Sequence, residues 1–418
     1  MKEHVVSVLK NKKVIMVCFV LVLVVGVFLR FLVMFRGHNF DFDSYKIVGD
    51  IADGLGNVYD QTTRYNYGPV WLTILGLFHA IATIFGEYQD MVFRVLIVGL
   101  LTATDIAIAL ILRKKFGLIA FIVFFLNPVS IIITGFHNQF DNLAVLVGLL
   151  GMLAMPPVGA KTLQRGHIKA AIIIGLSLMI KHIFFILPLW LFIREKNLKI
   201  KLFMLFVPLT MFGLSFVPFA FSGLDGILNN VFLYKSFANA PLLNALFSQG
   251  IVHLVSPMLF FLAALITTGF LTRKLPMLEA GMWYLLVLVA FSPAIANQYL
   301  AIAMPAVAAL GFIFFIPYII LSTLLITVTD ISGMHIQRFA DNIPHKLIGY
   351  IGSGEYKAVI FSLFIGLVLL AIFRYRKNWY RGVYNRIRLI TQEQLESITS
   401  YRASYRSKKR KRSHATTR

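Results

Sequence analysis

Between Val14 and Phe373 the sequence returns repeatedly to apolar runs, several of them near the ~20 residues that cross ~30 Å of hydrocarbon. No water is available in lipid, so every backbone N–H and C=O must find a partner within the segment, and such runs fold as helices. Composition agrees, with 58% of the 418 residues apolar and 14% charged, against ~45–50% and ~25% in soluble chains. The expected fold is all-α: a polytopic membrane protein of about twelve transmembrane helices. Hydropathy places them near 14–35, 92–112, 117–135, 142–155, 169–181, 183–193, 202–221, 256–272, 277–293, 298–316, 317–331 and 357–373. The one cysteine, Cys18, lies inside the first run, so no intramolecular disulfide can form.

Charge then sets the orientation. The chain carries 40 Lys and Arg against 18 Asp and Glu, for a net charge of +22. Nucleic-acid binding is not the implication, because 14 of the basic residues and only two of the acidic ones follow Phe373, in a tail spanning 374–418. Such a tail reads as a cytoplasmic retention charge that also touches anionic lipid. Residues 1–13 are expected in the cytoplasm as well, and 14–373 as the membrane-embedded catalytic domain. Pro69 to Gly86 is apolar enough to cross, yet crossing would put Arg113-Lys114-Lys115 outside. Treating it as an interfacial helix within a long first outer loop, 36–91, restores the positive-inside pattern. That loop holds seven of the 18 acidic residues. Cytoplasmic loops are short and basic, and no P-loop or dinucleotide fingerprint occurs.

The chemistry-bearing residues therefore collect on the outer face. Asp41-Phe42-Asp43 follows the first span by a few residues, and two such carboxylates can share a divalent metal, or one can act as base while the other orients it. Asp41 and Asp43 are the candidate catalytic pair, and metal dependence stays open. Arg64 and Tyr67 belong to a segment rich in aromatics and amides, a mixture suited both to sugar binding and to interfacial anchoring. His137-Asn138-Gln139-Phe140-Asp141 crowds polar groups into a short turn between spans, where Asp141 also suits a helix start. Lys181-His182 interrupts an apolar stretch, which calls for a turn, a wet cavity or an anionic partner. Asn297 and Gln298 stand at the head of a later span as caps or headgroup ligands. Arg30, Arg94 and Asp105 are charges in or beside spans, and three helical turns keep Arg94 from pairing with Asp105.

The order of these landmarks resembles the GT-C superfamily of integral-membrane glycosyltransferases. Asp41-Phe42-Asp43 follows the first span, Asn66-Tyr67-Gly68-Pro69 precedes an interfacial helix, and His137-Asn138-Gln139-Phe140-Asp141 joins the third and fourth spans. The pattern is similar to glucosyltransferases that extend lipid-linked oligosaccharides and to polyprenyl-phosphate-mannose-dependent mannosyltransferases. The resemblance covers roughly the first 200 residues, and the second half agrees in hydropathy only. It implies Asp41 as catalytic base with Asp43 beside it. The His-x-Gln-aromatic turn of the glucosyltransferases corresponds to His137, Gln139 and Phe140, whereas their His-Glu-Lys stretch has no counterpart here. On the reading of the residues themselves, Asp141, Arg64, Tyr67, Lys181, His182, Asn297 and Gln298 join His137 and Gln139 as candidate substrate-binding positions. The resemblance further implies a polyprenyl-phosphate sugar donor, a lipid-linked glycan, glycolipid or protein acceptor, transfer of a glucose- or mannose-type hexose with inversion, and no nucleic-acid partner.

Two other classes fit parts of the sequence. A secondary transporter or flippase would show internal repeats and midplane binding groups, and no repeat is visible. A non-catalytic scaffold of an envelope-polysaccharide complex would not need paired acids. No Asn-x-Ser/Thr sequon occurs, which favours a prokaryotic plasma membrane over the endoplasmic reticulum.

Overall fold

The computed structural model describes residues 12–234, 256–294, 296–328 and 344–376. The tail beyond 376, the first eleven residues and the last three residues of the expected span 317–331 lie outside the described residues. Within them the chain is all-helical, with no strand. The elements used below are α1 (Lys12–Met34), α2 (Phe40–Asp53), α3 (Pro69–Thr83), α4 (Gln89–Phe116), α5 (Leu118–Phe125), α6 (Pro128–Gly135), α7 (Asp141–Ala154), α8 (Arg165–Ile180), α9 (Leu187–Arg194) and α10 (Leu198–Leu214). Later helices include α11 (Pro257–Thr272), α12 (Met277–Ala290), α13 (Phe312–Val328) and α14 (Gly354–Arg376).

Four stretches are long and apolar enough to cross a membrane: Met16–Met34, Gly86–Phe116, Leu198–Phe232 and Glu355–Ile372. The bent pair α5 and α6 makes a fifth if counted as one span. Other apolar helices, including α3, α7, α11, α12 and α13, run 10–17 residues, and a 15-residue helix reaches only about 22 Å. The expected run 117–135 is thus one path with a break. Asn127 caps α6 by accepting from the Val129 N–H at 2.9 Å, Pro128 opens it, and the axes turn by 47°. The expected division at 316/317 also moves, because Gly311, with φ of +138°, ends one helix and α13 carries Pro317 inside it.

A buried ion pair closes the α5–α6 break. Arg30 and Asp105 are both 0% exposed, with Nε 2.9 Å from Oδ2. Arg30 also donates to the Phe125 carbonyl at 2.9 Å, an orphan at the end of α5, and to the Gly26 carbonyl at 2.9 Å. Asp105 accepts from Thr134 Oγ1 at 2.8 Å and from Asn142 Nδ2 at 2.7 Å. A charge at this depth is tolerable only when paired and hydrogen-bonded, and one network ties α1, α4, α6 and α7 together.

Two glycines bring the outer elements close to this bundle. A Cβ at Gly135 would lie 2.4 Å from the Arg30 carbonyl, and one at Gly68 would lie 2.0 Å from the Met179 carbonyl. Gly68 therefore lets the start of α3 press against the end of α8, next to Lys181. α2 and α3 pack along each other, with Trp71, Leu75, Tyr45 and Val48 buried between them and the bundle.

Candidate active site

Asn39 is where the site begins. It caps α2, its Oδ1 accepting from the Asp41 N–H at 3.2 Å. That bond fixes which end of the amide is the NH2. Asn39 Nδ2 then donates to Asp41 Oδ2 at 2.7 Å and lies 3.0 Å from His137 Nδ1. Gln139 Nε2 donates to the same Asp41 oxygen at 2.6 Å, and the Tyr45 hydroxyl donates to Gln139 Oε1 at 3.3 Å. Two side-chain amides thus hold one carboxylate oxygen of Asp41.

The His137-to-Asp141 turn owes its shape to Asn138. This residue sits at φ of +56°, a left-handed conformation Asn tolerates better than most residues. Its amide donates to the Gly135 carbonyl at 2.9 Å and the Thr134 carbonyl at 3.3 Å, partnering carbonyls at the buried C-terminal end of α6. Arg94 Nε donates to Asn138 Oδ1 at 3.2 Å, and its other end donates to the Gly37 carbonyl. Arg94 therefore fastens the segment before α2 to the turn before α7.

Asp141 opens α7 and is bonded by Lys181, Nζ to Oδ2 2.8 Å, with both side chains buried. The ammonium lies 4.7 Å from the Tyr67 ring centre and 4.9 Å from that of Phe140. Trp71 stacks on Phe140 at 4.2 Å, so an aromatic wall flanks the pair. The Lys181 and Asp141 charges both act on Asp41, and the Tyr67 hydroxyl feels both carboxylates and Tyr299.

Burial pushes the Asp41 carboxyl above its ordinary value of 3.8, opposed by the Asn39 hydrogen bond and the Lys181 charge. The same cause lowers the His137 imidazole to about 4, so at neutral pH it is uncharged. Burial also lifts Tyr67 and Tyr45 well above 10.0. The group suited to accepting a proton is Asp41, oriented and with enhanced proton affinity. The neutral donors around it bind without adding charge.

Asp41, Tyr67, His137, Gln139, Asp141 and Lys181 therefore come together. Asp43 does not join them. Both acids fall in the first turn of α2, where residues two apart point to opposite sides of the helix. Asp43 is half-exposed and 3.9 Å from His38 Nδ1. A metal shared by the two carboxylates would need a non-helical backbone, and among the described residues no cluster of three or more His, Cys, Asp or Glu is placed to hold an ion. Arg64 lies over the Phe40 ring at 3.8 Å and donates to the Phe40 carbonyl at 3.4 Å, one residue from Asp41 in sequence. His182 is exposed at the α8–α9 bend. Asn297 is buried and Gln298 half-buried, and the Tyr299 that follows them acts electrostatically on the Tyr67 hydroxyl.

Asn39 is the site residue that sequence reasoning passed over, and it carried a signal, a capping residue directly before an acid-led helix. No family model, curated protein or solved structure matches the chain.

Proposed function

We propose that the chain is a membrane glycosyltransferase that moves a hexose from a polyprenyl-phosphate donor to a glycan, glycolipid or protein acceptor on the outer face. The reading extends to a multi-pass protein in which the shorter helices also cross, giving about twelve spans, in a prokaryotic plasma membrane. The observation that supports it most is the state of Asp41, a carboxylate aimed by two amides and given raised proton affinity by burial. Asp41 takes the proton of an acceptor hydroxyl as that oxygen attacks the anomeric carbon. The bond from that carbon to the phosphate oxygen breaks on the opposite face, its electron pair leaves with the lipid phosphate, and the configuration inverts.

The departing phosphate needs a cation. Lys181 is bonded to Asp141, whereas the described contacts of Arg64 are a ring face and a backbone carbonyl, and its Nε is buried without a partner among the described residues. Arg64 is therefore the better candidate for stabilising the leaving group. A transporter reading would rest on Arg30 and Asp105, but those two are enclosed and bonded to neighbouring helices, as a structural tie would be. The test is purified protein in detergent given short-chain prenyl-phosphate mannose or glucose with an acceptor. Acceptor-dependent sugar transfer supports the proposal. Its absence, with bound donor and correctly folded protein, counts against it.

A further inference from the structure

Two buried polar atoms on the His137-to-Asp141 turn have no hydrogen-bond partner among the described residues: His137 Nε2 and Asp141 Oδ1. Each residue is 1% exposed. A buried polar group left unpaired costs free energy comparable to a lost hydrogen bond, so the two on this turn, beside the residue that holds Asp41, have bonding capacity that a ligand can fill.

Their chemical characters follow from their neighbours. Asn39 Oδ1 is engaged as an acceptor by the Asp41 N–H, so its amide nitrogen faces His137 Nδ1. An NH2 donates, and Nδ1 must therefore accept, which puts the imidazole proton on Nε2. Asp141 Oδ2 is taken by Lys181, leaving Oδ1 as a carboxylate acceptor. The turn thus offers one neutral N–H and one carboxylate oxygen, on either side of Gln139, the residue that holds Asp41.

Charge decides which ligand suits them. Two carboxylates, Asp41 and Asp141, share one cation, Lys181, which is already bonded, and the imidazole is neutral. A phosphate brought here would meet a carboxylate at close range with no free ammonium. A hydroxyl donates to one group and accepts from another, which is what this turn can satisfy.

We infer that His137 Nε2–H and Asp141 Oδ1 bind hydroxyls of a neutral sugar ring, and that this turn is a sugar subsite from which the lipid phosphate is excluded. The inference rests on the transferase reading only for the identity of the ring as substrate.

The test uses full-length protein in lipid nanodiscs, ¹⁵N-labelled at histidine, with His137 assigned by loss of its signal in His137→Gln. The probes are methyl α-mannoside, methyl α-glucoside and inorganic phosphate. Without ligand, His137 should show an unprotonated Nδ1 and a protonated Nε2. A methyl hexoside should move the Nε2–H signal, and phosphate should not. His137→Phe and Asp141→Asn should each weaken hexoside binding about tenfold, the worth of one hydrogen bond. A signal moved by phosphate and not by hexosides overturns the inference, as does a signal that no probe moves, which assigns the two atoms to ordered water. Hexoside binding without any sugar transfer would remove the transferase reading and leave the subsite standing. Transfer without any hexoside effect at His137 would do the reverse.

Discussion

Two polar networks lie within a few helical turns of each other, and they differ in whether their charged groups are fully bonded. Around Arg30 and Asp105, the guanidinium reaches a carboxylate, a hydroxyl and two carbonyls, and both oxygens of Asp105 are bonded. Around Asp41, bonds run from Tyr45 through Gln139 and from His137 through Asn39, yet His137 Nε2 and Asp141 Oδ1 end without partners among the described residues. The bonds around the Arg30–Asp105 pair hold helices together, with Asn142 Oδ1 the atom left unpartnered there among the described residues. The unfilled bonds beside Asp41 are where we propose that a ligand binds.

The largest effect should come from breaking the Arg30–Asp105 pair. Asp105→Ala strands a buried guanidinium and should lose about 3–5 kcal/mol, read as thermal unfolding in nanodiscs. The joint change Arg30→Met with Asp105→Leu should recover most of that loss. If Asp105→Ala unfolds like the parent but abolishes uptake of a solute, the pair is functional and the contrast fails.

Lys181 offers a sharper comparison with Arg64. Lys181→Met leaves Asp141 buried and unpaired and should lower stability by about 3 kcal/mol. Arg64→Gln should leave stability nearly unchanged and raise the KM for a prenyl-phosphate sugar about tenfold, the worth of a charge-assisted hydrogen bond. Interchanged outcomes would place Lys181, and not Arg64, at the phosphate.

Much of this contrast was legible in the sequence. Asp41, His137, Gln139, Asp141 and Lys181 stand out because charges and amides at the ends of apolar runs need a reason to be there. Their pairing was not legible. Arg30 meets Asp105 across 75 residues, and no periodicity reports that. Asp41-Phe42-Asp43 reads as a pair along the sequence, but the helix that begins at Phe40 turns the two acids apart. The break in the run 117–135 was signalled by Asn127-Pro128, a turn dipeptide that continuous hydropathy concealed.

The proton affinity of Asp41 gives a pH prediction. Its carboxyl sits above 3.8 in the folded chain, so the proton is held more tightly than in the unfolded chain, and stability falls as pH rises from 3.8 through the raised value. Transfer requires the deprotonated form. The rate should therefore climb with pH through that same window, its acid limb lying above that of an ordinary Asp. Asn39→Ser keeps a cap and loses an amide donor to the carboxylate, which should move the limb to still higher pH. An unmoved limb would mean that Asn39 serves only as a cap.

Asp43→Asn should produce the smallest effect, a change in rate of no more than about threefold, as suits a half-exposed carboxylate with a distant partner. A loss as large as that of Asp41→Asn would make the two acids a functional pair despite their opposite directions.

The central claim is that Asp41 removes the acceptor's proton, and single-turnover transfer by Asp41→Asn tests it most directly. Asn preserves the size of the side chain and cannot take a proton. The account predicts a rate lower by about 10²–10⁴-fold, with donor binding and thermal unfolding close to the parent's. Transfer at the parental rate by Asp41→Asn would contradict it.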